Sequence, residues 1–127
     1  MAETTPRNVV VWFEIASLDF DRAVAFYETI FATTLRREDM GAMRLAIFPY
    51  EGTGVSGAIV GSAQHAPGPG GTLVYLNCDG RLDAVVGRVE AAGGRLLSDK
   101  VTLPADMGAF FIVGDTEGNV VGLHAAA

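Results

Sequence analysis

Cysteine is nearly missing from this 127-residue chain, with Cys78 standing alone. One thiol excludes an intramolecular disulfide framework, leaves no Cys pair for zinc, and fits a reducing, cytoplasmic setting. Positive charge is short as well: nine Lys and Arg against fifteen Asp and Glu give a net charge of −6. That balance repels a phosphate backbone, so no nucleic-acid partner is expected, and it tolerates a cationic ligand better than an anionic one. No apolar run approaches the roughly 20 residues needed to cross a bilayer. The stretch Met1-Ala2-Glu3-Thr4-Thr5-Pro6 lacks the basic and apolar blocks of a secretory leader. A soluble protein without a membrane partner is the expectation. Neither a G-x-S-x-G elbow nor an H-E-x-x-H pair occurs. Gly52-Thr53-Gly54-Val55-Ser56-Gly57 spells the dinucleotide fingerprint G-x-G-x-x-G, but strand-like Ala58-Ile59-Val60 follows where the fingerprint requires a helix, which argues against a nucleotide site.

What the chain has in quantity is apolar surface: half of its residues are hydrophobic. At this length they suffice for one good core and not for two, so residues 1–127 are expected to form a single domain. A strand-then-helix pattern opens it. Val9 to Ile15 is a β-branched and aromatic run broken by one charge, Glu14. Asp19 then precedes Phe20, Ala23, Val24, Tyr27, Ile30 and Phe31, spaced as one helix face, with Asp19 placed to cap the first-turn amides. The pattern returns at one offset of 61: Trp12 maps onto Leu73, Arg22 onto Asp83 and Leu35 onto Leu96. In the second copy Leu73 to Cys78 reads as the strand, Leu82, Val85, Val86, Val89 and Ala92 as the helix stripe, and Gly93-Gly94 as its stop. Further on, Gly54 maps onto Gly118 and Ala58 onto Gly122, so the repeat covers nearly the whole chain.

Between these landmarks, residues 34–38 and 43–50 read as a hairpin turning at Met40-Gly41-Ala42, and 55–60 as a short strand. Gly61 to Gly71, rich in glycine and proline, is a connector. The order is βαβββ twice, module one over about 7–60 and module two over about 72–127. An α+β architecture follows, in which two curled sheets of about eight strands in total form an open trough with the helices outside. The concave interior is where a ligand would sit.

The motif Leu18-Asp19-Phe20-Asp21-Arg22-Ala23-Val24-Ala25-Phe26-Tyr27, followed by Gly93-Gly94 and by Asp115-Thr116-Glu117-Gly118-Asn119 before a closing strand, resembles the vicinal oxygen chelate superfamily. Glyoxalase I, extradiol dioxygenases, and the bleomycin and fosfomycin resistance proteins belong to it. The resemblance implies the fold just described and, in metal-dependent members, His or Glu ligands on the first and last strands of each module. Their positions fall here on Trp12, Ala58, Leu73 and Gly122, and none of these side chains can ligate a metal. No cofactor is therefore expected, and a divalent ion is disfavoured.

Strand side chains alternate faces, so Trp12 shares its face with Glu14, Leu73 with Tyr75 and Asn77, and Gly122 with His124. The small residues at 58 and 122 would leave room beside them. Glu14 and His124 are the candidate catalytic pair, and Trp12, Tyr75 and Asn77 the candidate ligand-binding residues. For Glu14 the alternative is an exposed carboxylate or a partner for Arg44; for His124, a solvated residue near the carboxyl terminus. Trp12 and Tyr75 could equally be core, His65 reads as an exposed connector residue, and Cys78 as a small buried apolar one. Two functions stay open. One is a metal-free glyoxalase-like protein, with lyase-like or isomerase-like chemistry related to lactoylglutathione lyase. The other is a bleomycin-resistance-type protein that sequesters a small molecule. The resemblance implies a homodimer in either case.

Overall fold

The computed structural model describes residues 5–127. Met1–Thr4, most of the stretch read above for a leader, lie outside the described residues. Module one begins with strand β1, Trp12–Ala16, and helix α1, Phe20–Phe31. The helix starts where the spacing places it, because the Asp19 side chain accepts from the Arg22 amide at 3.1 Å. Its buried face comprises Phe20, Ala23, Val24, Phe26, Tyr27, Ile30 and Phe31. Strands β2, Arg36–Met40, and β3, Met43–Ile47, form the hairpin, and β4, Ser56–Gly61, completes a four-stranded sheet in the order β1-β4-β3-β2.

Val9, Val10 and Val11 are not part of β1. Their intended partner is absent: β1 pairs in parallel with β4 from Trp12↔Ser56 onward, and the residues before Ser56 form a turn. Without a neighbour to bond, the valine run stays out of the sheet and exposed.

Module two supplies β5, Tyr75–Asn77, α2, Leu82–Val86, β6, Arg95–Leu96, β7, Val101–Thr102, β8, Ala109–Gly114, and β9, Val120–Ala125. The sheet order is β5-β9-β8-β6, with β7 also pairing β8. One expected outer strand thus becomes two short pieces, making nine strands among the described residues rather than eight. The second helix is shorter than its apolar stripe. It stops at Gly87, and the chain continues in tighter turns, with Arg88, Val89 and Ala92 amides bonding carbonyls three residues back. Glycine disfavours helix by about 1 kcal/mol, yet Leu82, Val85, Val86 and Val89 are all buried, so the stripe survives the loss of regular helix.

The two sheets stand side by side as an open trough with a helix on the outer side of each. One buried cluster draws on both modules, from Ile15, Phe26, Tyr27 and Ile59 to Leu76, Val85, Val113 and Leu123. Module two also holds α1 at both ends. At the amino end, Glu117 accepts from the Leu18 amide (2.9 Å), the Asp19 amide (2.8 Å) and the Arg22 guanidinium (2.8 and 3.1 Å). At the carboxyl end, Arg88 donates to the Ile30 carbonyl and Arg81 to the Phe31 carbonyl, each at 2.9 Å. An anion at the positive end of a helix and cations at its negative end are the favourable arrangement, and α1 has no basic residue in its own last turn.

Candidate functional site

The alternation along each strand turns the candidate residues away from the core side of their own sheet. Glu14 lies opposite Ala58, Tyr75 opposite Gly122, and Asn77 opposite His124, while Phe13, Ile15 and Leu76 turn to the core. Trp12 and Tyr75 are 39% and 47% exposed, so both are surface aromatics rather than core. The Trp12 indole N–H donates to the Glu14 carboxylate at 3.3 Å. Glu14 is exposed, and Arg44 is not its partner: that guanidinium bonds Asp21 and lies over the Phe20 ring. In the second sheet Tyr75 packs edge-on against Phe110, centroids 5.2 Å apart, and Phe110 lies opposite His124.

His124 and Glu14 are not brought into contact. The His124 Nε2 bonds the Met107 carbonyl at 2.8 Å, and among the described residues no hydrogen bond or ion pair joins it to Glu14. A carbonyl only accepts, so Nε2 is the donor in this contact. Asn77 accepts from the Asp79 amide at 2.8 Å.

The expected room at positions 58 and 122 is filled. Ala58 is wholly buried, and a Cβ at Gly122 would run into the Tyr75 ring, so the glycine is the floor on which that ring lies. Trp12, Ala58, Leu73 and Gly122 present no side chain that can ligate a metal. Among the described residues, no group of three or more His, Cys, Asp or Glu could hold a metal ion. The residues present do not fit a divalent ion held in the manner of the metal-dependent relatives.

Glu14 also lines a groove of about 370 Å³ along the free edge of β1, closed on its far side by the connector and the start of β9. The connector's exposed His65 lines the same groove. Local sequence reads His65 as an exposed connector residue, and only the path of the connector, tied by the Gly68 amide to the Asn119 side chain at 3.0 Å, brings it to the groove that Glu14 lines.

The groups whose protonation is most perturbed lie elsewhere and are structural. Burial alone would raise the Glu117 carboxyl, but hydrogen bonds from Arg22, the Asp19 amide, Thr116 and the Leu18 amide outweigh it and hold the pKa at about 2. Burial drives the Tyr27 hydroxyl well above its usual value, reinforced by Asp115, to which it donates at 2.7 Å. Asn119 completes this knot by donating to the Ala16 carbonyl and to Asp115. The turn residues 115–119 thus serve as the clasp between modules. The signal for that role lies in the sequence: four side chains able to accept or donate, Asp115, Thr116, Glu117 and Asn119, within five residues around Gly118.

Three kinds of comparison bear on this arrangement. The family model described as Glyoxalase/Bleomycin resistance protein/Dioxygenase superfamily matches residues 9–123. No curated protein matches the chain. Among solved structures, it is similar to a glyoxalase/bleomycin resistance protein/dioxygenase family enzyme from Burkholderia phytofirmans PsJN, at 17% identity and TM-score 0.67 over 92% of this chain and 98% of that one. It is similar to a glyoxalase/bleomycin resistance protein/dioxygenase from Nocardioides, at 20% identity and TM-score 0.62 over 97% and 86%. It is also similar to a glyoxalase I mutant from Zea mays, at 18% identity and TM-score 0.67, where it covers 90% of itself but 44% of the longer maize chain. At these identities the likeness is one of fold.

Proposed function

Because the chain belongs to the glyoxalase/bleomycin resistance protein/dioxygenase superfamily, we propose that it captures a small organic molecule on the inner face of its trough without a divalent ion. The carrying observation is the Trp12–Glu14 pair, an exposed indole and carboxylate held together at 3.3 Å. A carboxylate beside exposed aromatic rings favours a ligand with a flat or cationic body, through stacking and charge-assisted hydrogen bonding. The sheet beneath Glu14 is apolar, with Leu45, Ile47, Ala58 and Val60 packed as a second small cluster. A second copy of the chain is expected to cover the exposed apolar run from Val9 to Trp12, as a homodimer.

Trp12 is the sole tryptophan, so its fluorescence reports on this face directly. A panel of small amines and carbonyl compounds is titrated against the native protein and Glu14→Gln. Ligands that quench Trp12 should bind the variant about tenfold more weakly, the worth of one charge-assisted contact. Equal affinity in the variant removes Glu14 from the site.

A catalytic reading rests on one observation, that the bond from Nε2 to the Met107 carbonyl fixes the His124 ring on the face that also carries Asn77. In that reading His124 moves a proton while Glu14 positions the substrate. It requires that a bound ligand be consumed, and that His124→Gln abolish consumption while leaving Trp12 quenching intact. Capture requires that the ligand be recovered unchanged.

A further inference from the structure

The molecule has a second concavity, where the carboxyl end of α1 meets the turn between β3 and β4 and the end of β5. Its volume is about 370 Å³, within the range of small-molecule sites. The walls are apolar: Phe13, Phe31, Phe48, Val55 and Leu76 line it. The rings are set against one another at angles, with Phe31 and Phe48 centroids 6.0 Å apart and nearly perpendicular. A planar apolar body entering here meets both ring edges and ring faces.

The polar lining is rich in donors. Arg81 lies over the Phe31 ring with its guanidinium 5.1 Å from the centroid and gives one N–H to the Phe31 carbonyl. Among the described residues no carboxylate comes within 4 Å of it, whereas Arg22, Arg36, Arg37, Arg44 and Lys100 are all ion-paired. Asn77 uses its oxygen on the Asp79 amide, and its NH₂ has no partner among the described residues. A cation without a counter-ion, at the end of an apolar chamber and beside an unused amide donor, matches a carboxylate. The adjoining groove narrows the charge further. Glu51 and Asp79 line it together with Arg81 and Asn77, so a dianion meets two carboxylates at the mouth while a monoanion with its head on Arg81 does not have to pass a second charge into the chamber.

From this we infer that the concavity between the modules is a binding site for a monocarboxylate with an aromatic or compact apolar body, anchored by Arg81 and Asn77. It is distinct from the Trp12–Glu14 site, since Trp12, Glu14 and Tyr75 do not line it, and of the inner-face candidates only Asn77, at the end of β5, reaches it.

The probe is 3-phenylpropanoate, with neutral 3-phenylpropanamide as its control, followed by amide chemical shifts in two-dimensional NMR. The acid should shift Thr33, Phe48, Leu76 and Asn77 and bind about tenfold more tightly than the amide. Val55→Phe, a filled mouth at a half-exposed position, should abolish binding of both compounds without lowering the melting temperature. Arg81→Gln should bring acid and amide to equal affinity; because Arg81 also caps α1, the Val55 variant decides the matter if the Arg81 variant is unstable. Acid and amide binding equally to the native protein would overturn the inference. So would native-like binding in Val55→Phe, or shifts centred on Trp12 and Glu14 instead.

Discussion

Replacing Glu117 with glutamine removes one negative charge and turns two acceptor oxygens into one acceptor and one donor, at a site where every neighbour donates. The carboxylate takes hydrogen bonds from two backbone amides, two guanidinium nitrogens and the Thr116 hydroxyl, and its side chain is fully shielded from solvent. The drop of its pKa from 4.5 to about 2, at 1.36 kcal/mol for each tenfold change in proton affinity, corresponds to about 3 kcal/mol of stability carried by the ionised form. Against a typical total of roughly 5–15 kcal/mol this is a large share. For a chain of this size it should lower Tm by roughly 10 °C. The pH dependence fixes the cause. The folded protein holds the carboxyl below its unfolded value, so the contribution is complete above about pH 4.5 and fades as pH falls toward 2. Thermal unfolding of native protein and Glu117→Gln, followed by circular dichroism at pH 7 and again at pH 2.5, should show a wide gap that has largely closed at the lower pH. A gap of equal size at both pH values would mean that shape and not charge is responsible, and no gap at pH 7 would refute the clasp altogether.

Two glycines in the sheets should respond unequally to alanine. A Cβ at Gly57 would lie 2.5 Å from the Phe13 carbonyl oxygen and against the Phe13 ring, inside the core, so Gly57→Ala should destabilise by about 1–3 kcal/mol in urea unfolding. At Gly122 the obstacle is the exposed Tyr75 ring, which can swing away; Gly122→Ala should leave urea stability within about 1 kcal/mol of native while changing ligand binding at the inner face. Ala32 ends α1 at φ 51°, in the left-handed region, and Ala32→Gly should raise stability by about 0.5 kcal/mol, the relief of backbone strain exceeding the added freedom of the unfolded chain. Cys78 is wholly buried, and burial pushes its thiol up to about 11. A thiol-specific disulfide reagent at pH 8 should therefore react no faster than the protein unfolds, and reaction at the rate of a free thiol would contradict that burial.

Element types and faces were legible because they are local properties. Alternation along Trp12–Ala16, Tyr75–Asn77 and Val120–Ala125 put Glu14 on one face of its sheet and Tyr75, Asn77 and His124 on one face of theirs, and the Asp19 cap with its apolar stripe located α1. Which of those residues meet was not legible. Glu14 and His124 belong to different sheets, and their hydrogen bonds go to Trp12 and to Met107. The space expected above Gly122 depended on where the Tyr75 ring comes to rest, and it rests there.

The chain's own order of residues determined that it is one βαβββ unit used twice, since periodicity, caps and turns act over a few neighbours and repeat wherever the pattern repeats. Tertiary structure alone decided what joins the copies. Arg22 finds Glu117 across 95 positions, and Arg88 finds the Ile30 carbonyl across 58. It also decided that Val9–Val11 stay outside the sheet, for want of a strand opposite them. Such contacts depend on how two sheets dock, and docking is set by the shape of a shared core to which every element contributes at once.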